Sequence, residues 1–501
     1  MTIKPVNKVS GIGEPRIDLK RSKITMIAGT VFGLSAVATT YILRLRLPKK
    51  PLLSITTVSA LFSVVCIYKL IAFRNVILPT HNTGVTASFQ DNARCKMTQT
   101  SLESHQMRIE LIKSAKQSIV FAASYSGKEA LDVILEEIKK KLDDGVVVDF
   151  SVSPTYLTDR NKNTIRELNK HSNFHGIILD HCFLYDDSIL SLPKTVFYHV
   201  KGLSIDGGRS MLMGGSSSAG SSDEKQPPIW LYDGKKDLDK KAYLGIAGYH
   251  DMDIVWESLT DDPSQTGHQL DRQIRQMHQL ARHRHSLPPP NNWPEFSPPA
   301  LPSTGTHQVE FYPSAPEQTH NAFHDALVAK IEAETKSIIF DQMYFQPTDA
   351  IFDALVKAAD SGVEIQIIHN NAGKGTPDSH YLYVNSSRQK IAQLINHTKN
   401  KDRISVYEYN HKHVTLHKKV IIFESQQAVS IGSANIGNNS LRARQADYEI
   451  SIIVSQQELY EETRSVTETD MSESKKIDNP RSLTLSQHLL GHGQKVIQPF
   501  L

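Results

Sequence analysis

Two short stretches, Tyr198-His199-Val200-Lys201 and Leu416-His417-Lys418-Lys419, decide the reading of this chain, because they fall at the same point of a repeated pattern. Upstream of the first, Ala115-Lys116-Gln117-Ser118-Ile119-Val120-Phe121 reads like Glu334-Thr335-Lys336-Ser337-Ile338-Ile339-Phe340 upstream of the second. Between them, Asp144-Gly145-Val146-Val147-Val148-Asp149-Phe150 reads like Ser361-Gly362-Val363-Glu364-Ile365-Gln366-Ile367. The offsets are 219 (Ser118 to Ser337), 217 (Gly145 to Gly362) and 218 (His199 to His417). Three separate segments hold register within two residues, which marks a duplication. Each half alternates short apolar strands with amphipathic windows such as 129–142 and 350–360, an α/β pattern.

Both stretches extend to His-x-Lys-x4-acid: His199, Lys201 and Asp206, then His417, Lys419 and Glu424. A glycine stands 15 positions after each histidine, at Gly214 and Gly432. The chain carries its own control. His397 and Lys399 also form His-x-Lys, but Ile404 stands at the acid position and no repeat surrounds them. On an extended strand, side chains two apart share a face, roughly 6.5–7 Å along it, so each histidine and its lysine point the same way. The acid follows the histidine by seven, an odd number, and so faces the opposite side; Asp206 and Glu424 read as structural members of the motif. A short turn and a returning strand then bring Gly214-Gly215-Ser216-Ser217 and Gly432-Ser433-Ala434-Asn435 back beside the histidines.

Two His/Lys pairs meeting across a pseudo-twofold axis suit phosphodiester chemistry. One imidazole attacks phosphorus and forms a covalent phosphohistidine, dividing one hard displacement into two easier steps. The other protonates the leaving alkoxide and then deprotonates the incoming water or alcohol. The two lysines, with Gly215, Ser217, Ser433 and Asn435, are the candidates to hold non-bridging oxygens. No metal or other cofactor is called for. Acidic pairs follow each motif, in His250-Asp251-Met252-Asp253 and Ala446-Asp447-Tyr448-Glu449. A carboxylate on the far ring nitrogen would fix each histidine tautomer, and Asp253 and Glu449 are the expected pair.

At these residues the chain resembles the phospholipase D superfamily, and its layout is most similar to bacterial cardiolipin synthases. The resemblance covers about 105–256 and 308–455, and also rests on Tyr344-Phe345-Gln346-Pro347 and Val406-Tyr407-Glu408-Tyr409. It implies His199 as nucleophile and His417 as general acid/base, with Lys201, Lys419, Ser433 and Asn435 on phosphate. It also implies an α/β fold of two phospholipase D-like halves. Three departures stand out: Glu424 replaces the usual Asp, each motif is one residue longer between acid and glycine, and Ser217 occupies the usual Asn position before a serine-rich loop, 216–222.

The N-terminus reads as membrane. Residues 24–43 are 20 positions without charge, and 52–68 are another 17, with the apolar run continuing to Phe73. At roughly 1.5 Å rise per residue, 20 residues cover a hydrocarbon core of about 30 Å. The basic, proline-bearing connector 44–51 suits a turn at a membrane surface, so two transmembrane helices are expected over 24–73. A hairpin puts both ends on one side, and the catalytic part is expected in the cytoplasm. A cytoplasmic segment, 1–23, precedes it. The halves are expected at 100–257 and 307–456, with a Pro-rich surface linker at 258–306 and a polar tail at 457–501.

The whole chain has 501 residues, with 56 Lys plus Arg against 53 Asp plus Glu, a net charge of +3. That balance makes no basic field, and no nucleic-acid partner is expected. Three cysteines (Cys66, Cys95, Cys182) exclude a disulfide scaffold. The expected substrates are membrane phospholipids, with water or an alcohol as acceptor. Two alternatives stay open: a nuclease-like phosphodiesterase of the same superfamily, and an inactive lipid-binding scaffold.

Overall fold

The computed structural model describes residues 86–484 and 487, apart from 125–127, 155–156, 180–181, 185–193, 216–247, 285–305, 317, 319, 372–377, 410–413 and 443–445. The predicted spans in 24–73 therefore lie outside the described residues, as does the whole loop 216–222 with Ser217. Among the described residues no helix is long and apolar enough to cross a membrane.

The chain opens with β1 (Ala87–Asp91) and β2 (Ala93–Met97), then α1 (Ser101–Ser114), β3 (Ser118–Ala123), α2 (Lys128–Asp143), β4 (Val147–Val152), α3 (Asp159–Leu168) and β5 (Phe174–Ile178). A hairpin of β6 (Cys182–Leu184) and β7 (Lys194–Val196) belongs to a separate compact unit. The main unit continues with β8 (Lys201–Ile205), β9 (Ser210–Gly214), β10 (Gly248–His250), β11 (Asp253–Ser258) and α4 (Gln265–Arg284). Then come β12 (His307–Ser314), α5 (Ala322–Ala333), β13 (Ser337–Gln342), α6 (Asp349–Asp360), β14 (Glu364–Asn370), α7 (Asp378–His397) and β15 (Ile404–Tyr409). The last elements are β16 (Val414–Leu416), β17 (Lys419–Phe423), β18 (Ala428–Gly432), α8 (Asn438–Leu441), β19 (Glu449–Ser455), α9 (Gln457–Glu473) and β20 (Lys475–Lys476).

The repeat is written in the topology. The first sheet runs β2-β11-β9-β8-β3-β4-β5, and the second contains β12-β19-β18-β17-β13-β14-β15 in the matching order. In both, the last three strands are parallel and the others antiparallel. Helices cover the parallel strands, and the apolar residues of those strands pack against them. Ile119, Phe121, Val148 and Phe150 pack with Ile134 and Ile138 of α2, and Ile338, Phe340, Ile365 and Ile367 pack with Leu327, Ile331 and Leu355. Helix starts are set by Thr100, Asn321 and Thr348, whose side chains accept N–H bonds from Glu103, His324 and Ile351.

The expected domain borders shift in three places. The first half starts before residue 100, at β2, while β1 crosses to the second sheet and pairs with β12. Residues 265–284 are not a surface linker. They form α4, whose Leu270, Ile274 and Met277 are buried against the first sheet. Gly267 meets Gly208 so closely that a Cβ on Gly208 would come 2.2 Å from the Gly267 carbonyl carbon, and Gly208 has φ +104°, so both packing and backbone demand glycine. The tail also begins as structure: α9 packs on β2, β15, β17 and β18. The sequence does read as helical over 269–284; what its polar composition conceals is burial, since α4 buries His268, Asp271, Arg275 and His278 along with its apolar residues.

Candidate active site

His199 and His417 stand two residues before the lysines that open β8 and β17. Their backbones are held by the opposite half. The His199 N–H donates to Tyr448 O at 3.0 Å, and the His417 N–H donates to His250 O at 2.9 Å. Around these bonds β10 pairs in parallel with β16, and Tyr198 bridges Tyr448 in the same sense, their rings stacked 4.6 Å apart. The two crossings repeat each other about a pseudo-twofold axis.

The carboxylates cross as well. His199 Nδ1 lies 2.9 Å and 3.1 Å from the two oxygens of Glu449, and His417 Nδ1 lies 2.7 Å from Asp251 Oδ1. A carboxylate accepts, so each Nδ1 is assigned the proton and each Nε2 the lone pair. Both lysines are buried, and each donates to its own histidine's carbonyl, Lys201 at 2.8 Å and Lys419 at 2.6 Å. The halves share one electrostatic neighbourhood: Lys419 acts on His199, Lys201 acts on His417, and the lysines act on each other.

Burial dominates the charges. It lowers His199 to about 4 against the pull of Glu449, and His417 to about 3 against that of Asp251. Burial, reinforced by Lys419, holds Lys201 well below its usual range, and burial brings Lys419 to about 8. Burial opposes ionisation of Glu449 and Asp251, but His199 and His417 outweigh it, bringing Glu449 to about 2 and lowering Asp251. The resting site thus holds neutral imidazoles on ionised carboxylates. Burial, with Glu449 nearby, pushes Asp447 up to about 8, and its Oδ1 accepts the N–H of Phe197 at 3.0 Å.

The expected acidic pair needs one correction. Glu449 is on His199, but the partner of His417 is Asp251 and not Asp253. Asp253 begins β11 opposite Gly214 and turns to Arg108, 2.8 Å away. Aligning the halves on the apolar runs Ile254-Val255-Trp256 and Ile452-Ile453-Val454 would have matched Asp251 with Glu449. The motif acids are also not at the pocket. Asp206 follows a five-residue strand, roughly 16 Å beyond Lys201. It accepts N–H bonds from Lys116, Gln117 and Ser118, at 2.7 Å for Gln117 and 2.9 Å for Ser118. Glu424, at the matching point, takes the Ser337 hydroxyl and Arg464.

Of the expected phosphate-holding groups, Ser433 Oγ donates to Glu449 Oε2 at 2.5 Å and Oγ accepts the Ile450 N–H at 3.0 Å. It orients the carboxylate. Ser440, on α8, donates to the other oxygen at 2.6 Å and was not foreseen, since no repeat or motif marks it. Asn435 is buried beside them, its backbone N–H on Ser440 Oγ and its Oδ1 without a hydrogen-bond partner. Gly215 lies under the other pair: a Cβ there would come 2.9 Å from Asp251 Oδ1 and 3.0 Å from His417 O. Asn370, also unforeseen, clamps the residue before His417, donating to Leu416 O and accepting Leu416 N–H, each at 2.7 Å. Among the described residues no cluster of three His, Cys, Asp or Glu side chains is placed to hold a metal ion.

Comparison with known proteins follows the same lines. A family described as "Cardiolipin synthase, PLD-like domain" matches residues 327–471. Cardiolipin synthase A of Pseudomonas putida (strain W619) is 25% identical over 186 residues, 37% of this chain and 35% of that one. The major cardiolipin synthase of Bacillus subtilis (strain 168) is 28% identical over 163 residues, 32% and 30% of the two chains. The matched region spans about a third of the length of these relatives. The fold is similar to that of phosphatidylserine synthase from Haemophilus influenzae Rd KW20, at TM-score 0.55 and 13% identity, covering 82% of this chain and 95% of that one.

Proposed function

We propose that this chain, which resembles the phospholipase D superfamily in motif, in family match and in fold, transfers phosphatidyl groups from a phospholipid to an alcohol or water through a phosphohistidine. The observation that carries the reading is the crossed pair of histidine–carboxylate bonds, His199–Glu449 and His417–Asp251, each beside a buried lysine.

In the first step His199 Nε2 attacks phosphorus, the P–N bond forms and the P–O bond to the headgroup breaks. Glu449 steadies the imidazolium that develops at Nδ1. His417 is neutral at rest, with its proton on Nδ1; the negative charge of an entering phosphodiester raises its proton affinity, so that Nε2 takes a proton from solvent as substrate binds and gives it to the departing alkoxide. Lys201 and Lys419, held where water is excluded, meet the charge that gathers on the non-bridging oxygens. In the second step His417 takes the proton of the incoming hydroxyl, oxygen attacks phosphorus and the P–N bond breaks. The choice between hydrolysis and transfer then turns on which hydroxyl occupies that position. The apolar segment 24–73 would hold the site beside bilayer headgroups, where diacyl substrates are concentrated.

Purified full-length protein with labelled phosphatidylglycerol, with and without an added alcohol, tests the reading. Release of the headgroup with formation of phosphatidic acid or a new phosphatidyl ester is expected. Intact lipid after prolonged incubation, by protein that remains folded, would sink it. Removal of the protein from membranes by alkaline carbonate washing would refute the anchor.

A further inference from the structure

The two histidine sites are not held in the same way. Behind His199 the crossing is closed by the Tyr198–Tyr448 stack. Behind His417 it is closed by ions. Lys418, between His417 and Lys419, is fully buried, and its ammonium is bonded to Asp470 and lies 3.5 Å from Asp341. The same Asp470 carboxylate accepts from His250 Nε2 at 2.7 Å, and the His250 ring stacks on Tyr409 at 5.3 Å. The corresponding residues of the first site are Val200 and Tyr448, which carry no charge.

Asp470 comes from α9, the helix that polar composition had placed in a tail. Eight residues earlier on that helix, Glu462 accepts the N–H of Met97 on β2, at 3.0 Å, so the helix is pinned to both halves. Thr467, on the same face, donates to Asp341 at 3.5 Å. Burial, with the negative charge of Asp470, raises Asp341, while Lys418 overcomes the burial of Asp470 and lowers it. Asp341 is then the protonated member, and one ammonium faces one carboxylate. Such a network is strict about geometry, because any displaced member leaves a buried charge unpaired.

Asp470 grips two backbone segments at once. Lys418 follows His417 directly. His250 accepts the His417 N–H and precedes Asp251, the residue on His417 Nδ1. We propose that Asp470 is a positioning residue for His417, and that helix α9 thereby sets the imidazole that protonates the leaving alkoxide while leaving the His199 site untouched. This rests on the acid/base role given to His417 above.

Leaving-group dependence tests it in the full-length protein. Phosphatidylglycerol must lose an alkoxide, which needs a proton; phosphatidyl-p-nitrophenol loses a stabilised phenolate, which does not. In Asp470→Asn, first-turnover release of glycerol should fall about 100-fold, the scale expected when a reacting group is misplaced by about an ångström. The burst of p-nitrophenolate should change by less than about threefold, as attack by His199 is intact. His417→Ala is measured in parallel and should give the same contrast. Equal losses on both substrates in Asp470→Asn, or no loss on either, overturn the inference while His417→Ala still discriminates. If His417→Ala itself fails to discriminate, the role of His417 falls and the inference with it. Should Asp470→Asn not fold, Asp470→Glu keeps the charge and moves it by one methylene; the same contrast is expected, and equal rates on both substrates at native melting temperature refute the proposal.

Discussion

Glu449 stands 250 residues after His199, in the other half of the duplication, and its carboxylate is hydrogen-bonded to the His199 ring at 2.9 Å. His417 takes Asp251 from the first half in the same way. Neither half therefore holds a complete site, and each imidazole is oriented only when the two sheets meet. An exchange of this kind ties chemistry to the assembly of the halves. Glu449 is further fixed by two hydroxyls, Ser433 and Ser440, so that its ring partner has one orientation.

Replacing these carboxylates should damage turnover more than folding. Glu449→Gln and Asp251→Asn keep the shape but weaken the hold on the Nδ1 tautomer, and each should lower kcat on a phospholipid about 10³-fold. Asp253→Asn makes the contrast. It removes the charge from the carboxylate 2.8 Å from the buried Arg108 guanidinium, so the cost, about 3–5 kcal/mol for breaking a buried pair, falls on stability. Labelled-lipid turnover and thermal melts on the three variants separate the roles. Wild-type kcat in Glu449→Gln would remove that residue from the mechanism.

The proposed covalent step gives a second prediction. Protein mixed with phosphorus-labelled lipid and quenched should carry acid-labile, base-stable label on His199. His199→Ala should carry none, and His417→Ala should form its adduct slowly and hold it longer, because the acceptor is no longer deprotonated. Label found on His417 in the wild type would reverse the two roles.

Asp206 yields a prediction of opposite sign. It belongs to the same motif as His199, but it binds three successive N–H groups at the start of β3 and sits in a turn with φ 51°. Asp206→Ala removes these bonds and places alanine where the left-handed region disfavours it. Stability should drop by about 1–2 kcal/mol with kcat within about threefold of wild type. A drop in kcat of two orders of magnitude at unchanged melting temperature would return Asp206 to the chemistry.

Much of this was legible in the sequence because it is periodic or repeated. The 218-residue offset between His199 and His417 reappears as two sheets with one strand order. The strand parity that set Asp206 and Glu424 apart from the histidines agrees with their hydrogen bonds at the far turns. What stayed hidden is non-local. Asp251 and Asp253 are two positions apart and share a strand parity, so alternation cannot choose between them; the choice is made by where β11 begins against β9, with Asp253 opposite Gly214. Ser440, Asn370 and Asp470 act on backbone or on other side chains at long range, so no local pattern announces them. Helices α4 and α9 are rich in charge yet buried on one face, where Arg275 and Asp470 are paired inside the protein.

Acid should unfold this protein, and the sign follows from the buried histidines. His105, His199 and His369 are each lowered by burial to about 4, and His278 and His417 to about 3. In the unfolded chain each takes a proton near pH 6.5, so below that value the unfolded state binds more protons. Their contribution to stability is whole above about 6.5 and drains away as pH falls towards 4, all five acting together. Glu449, lowered to about 2, adds a further loss only below about 4.5. The alkaline side is governed by Lys419, lowered to about 8: in the native state it sheds its proton there, and kcat/KM should fall as pH rises through that value while the fold persists. Melting temperatures between pH 7.5 and 5, with His369→Gln as a variant whose curve is flatter, check the first limb. A pH–rate profile in which Lys419→Arg moves the alkaline limb upward checks the second. A melting temperature constant from pH 7.5 to 5 would mean that these imidazoles are not held neutral by burial.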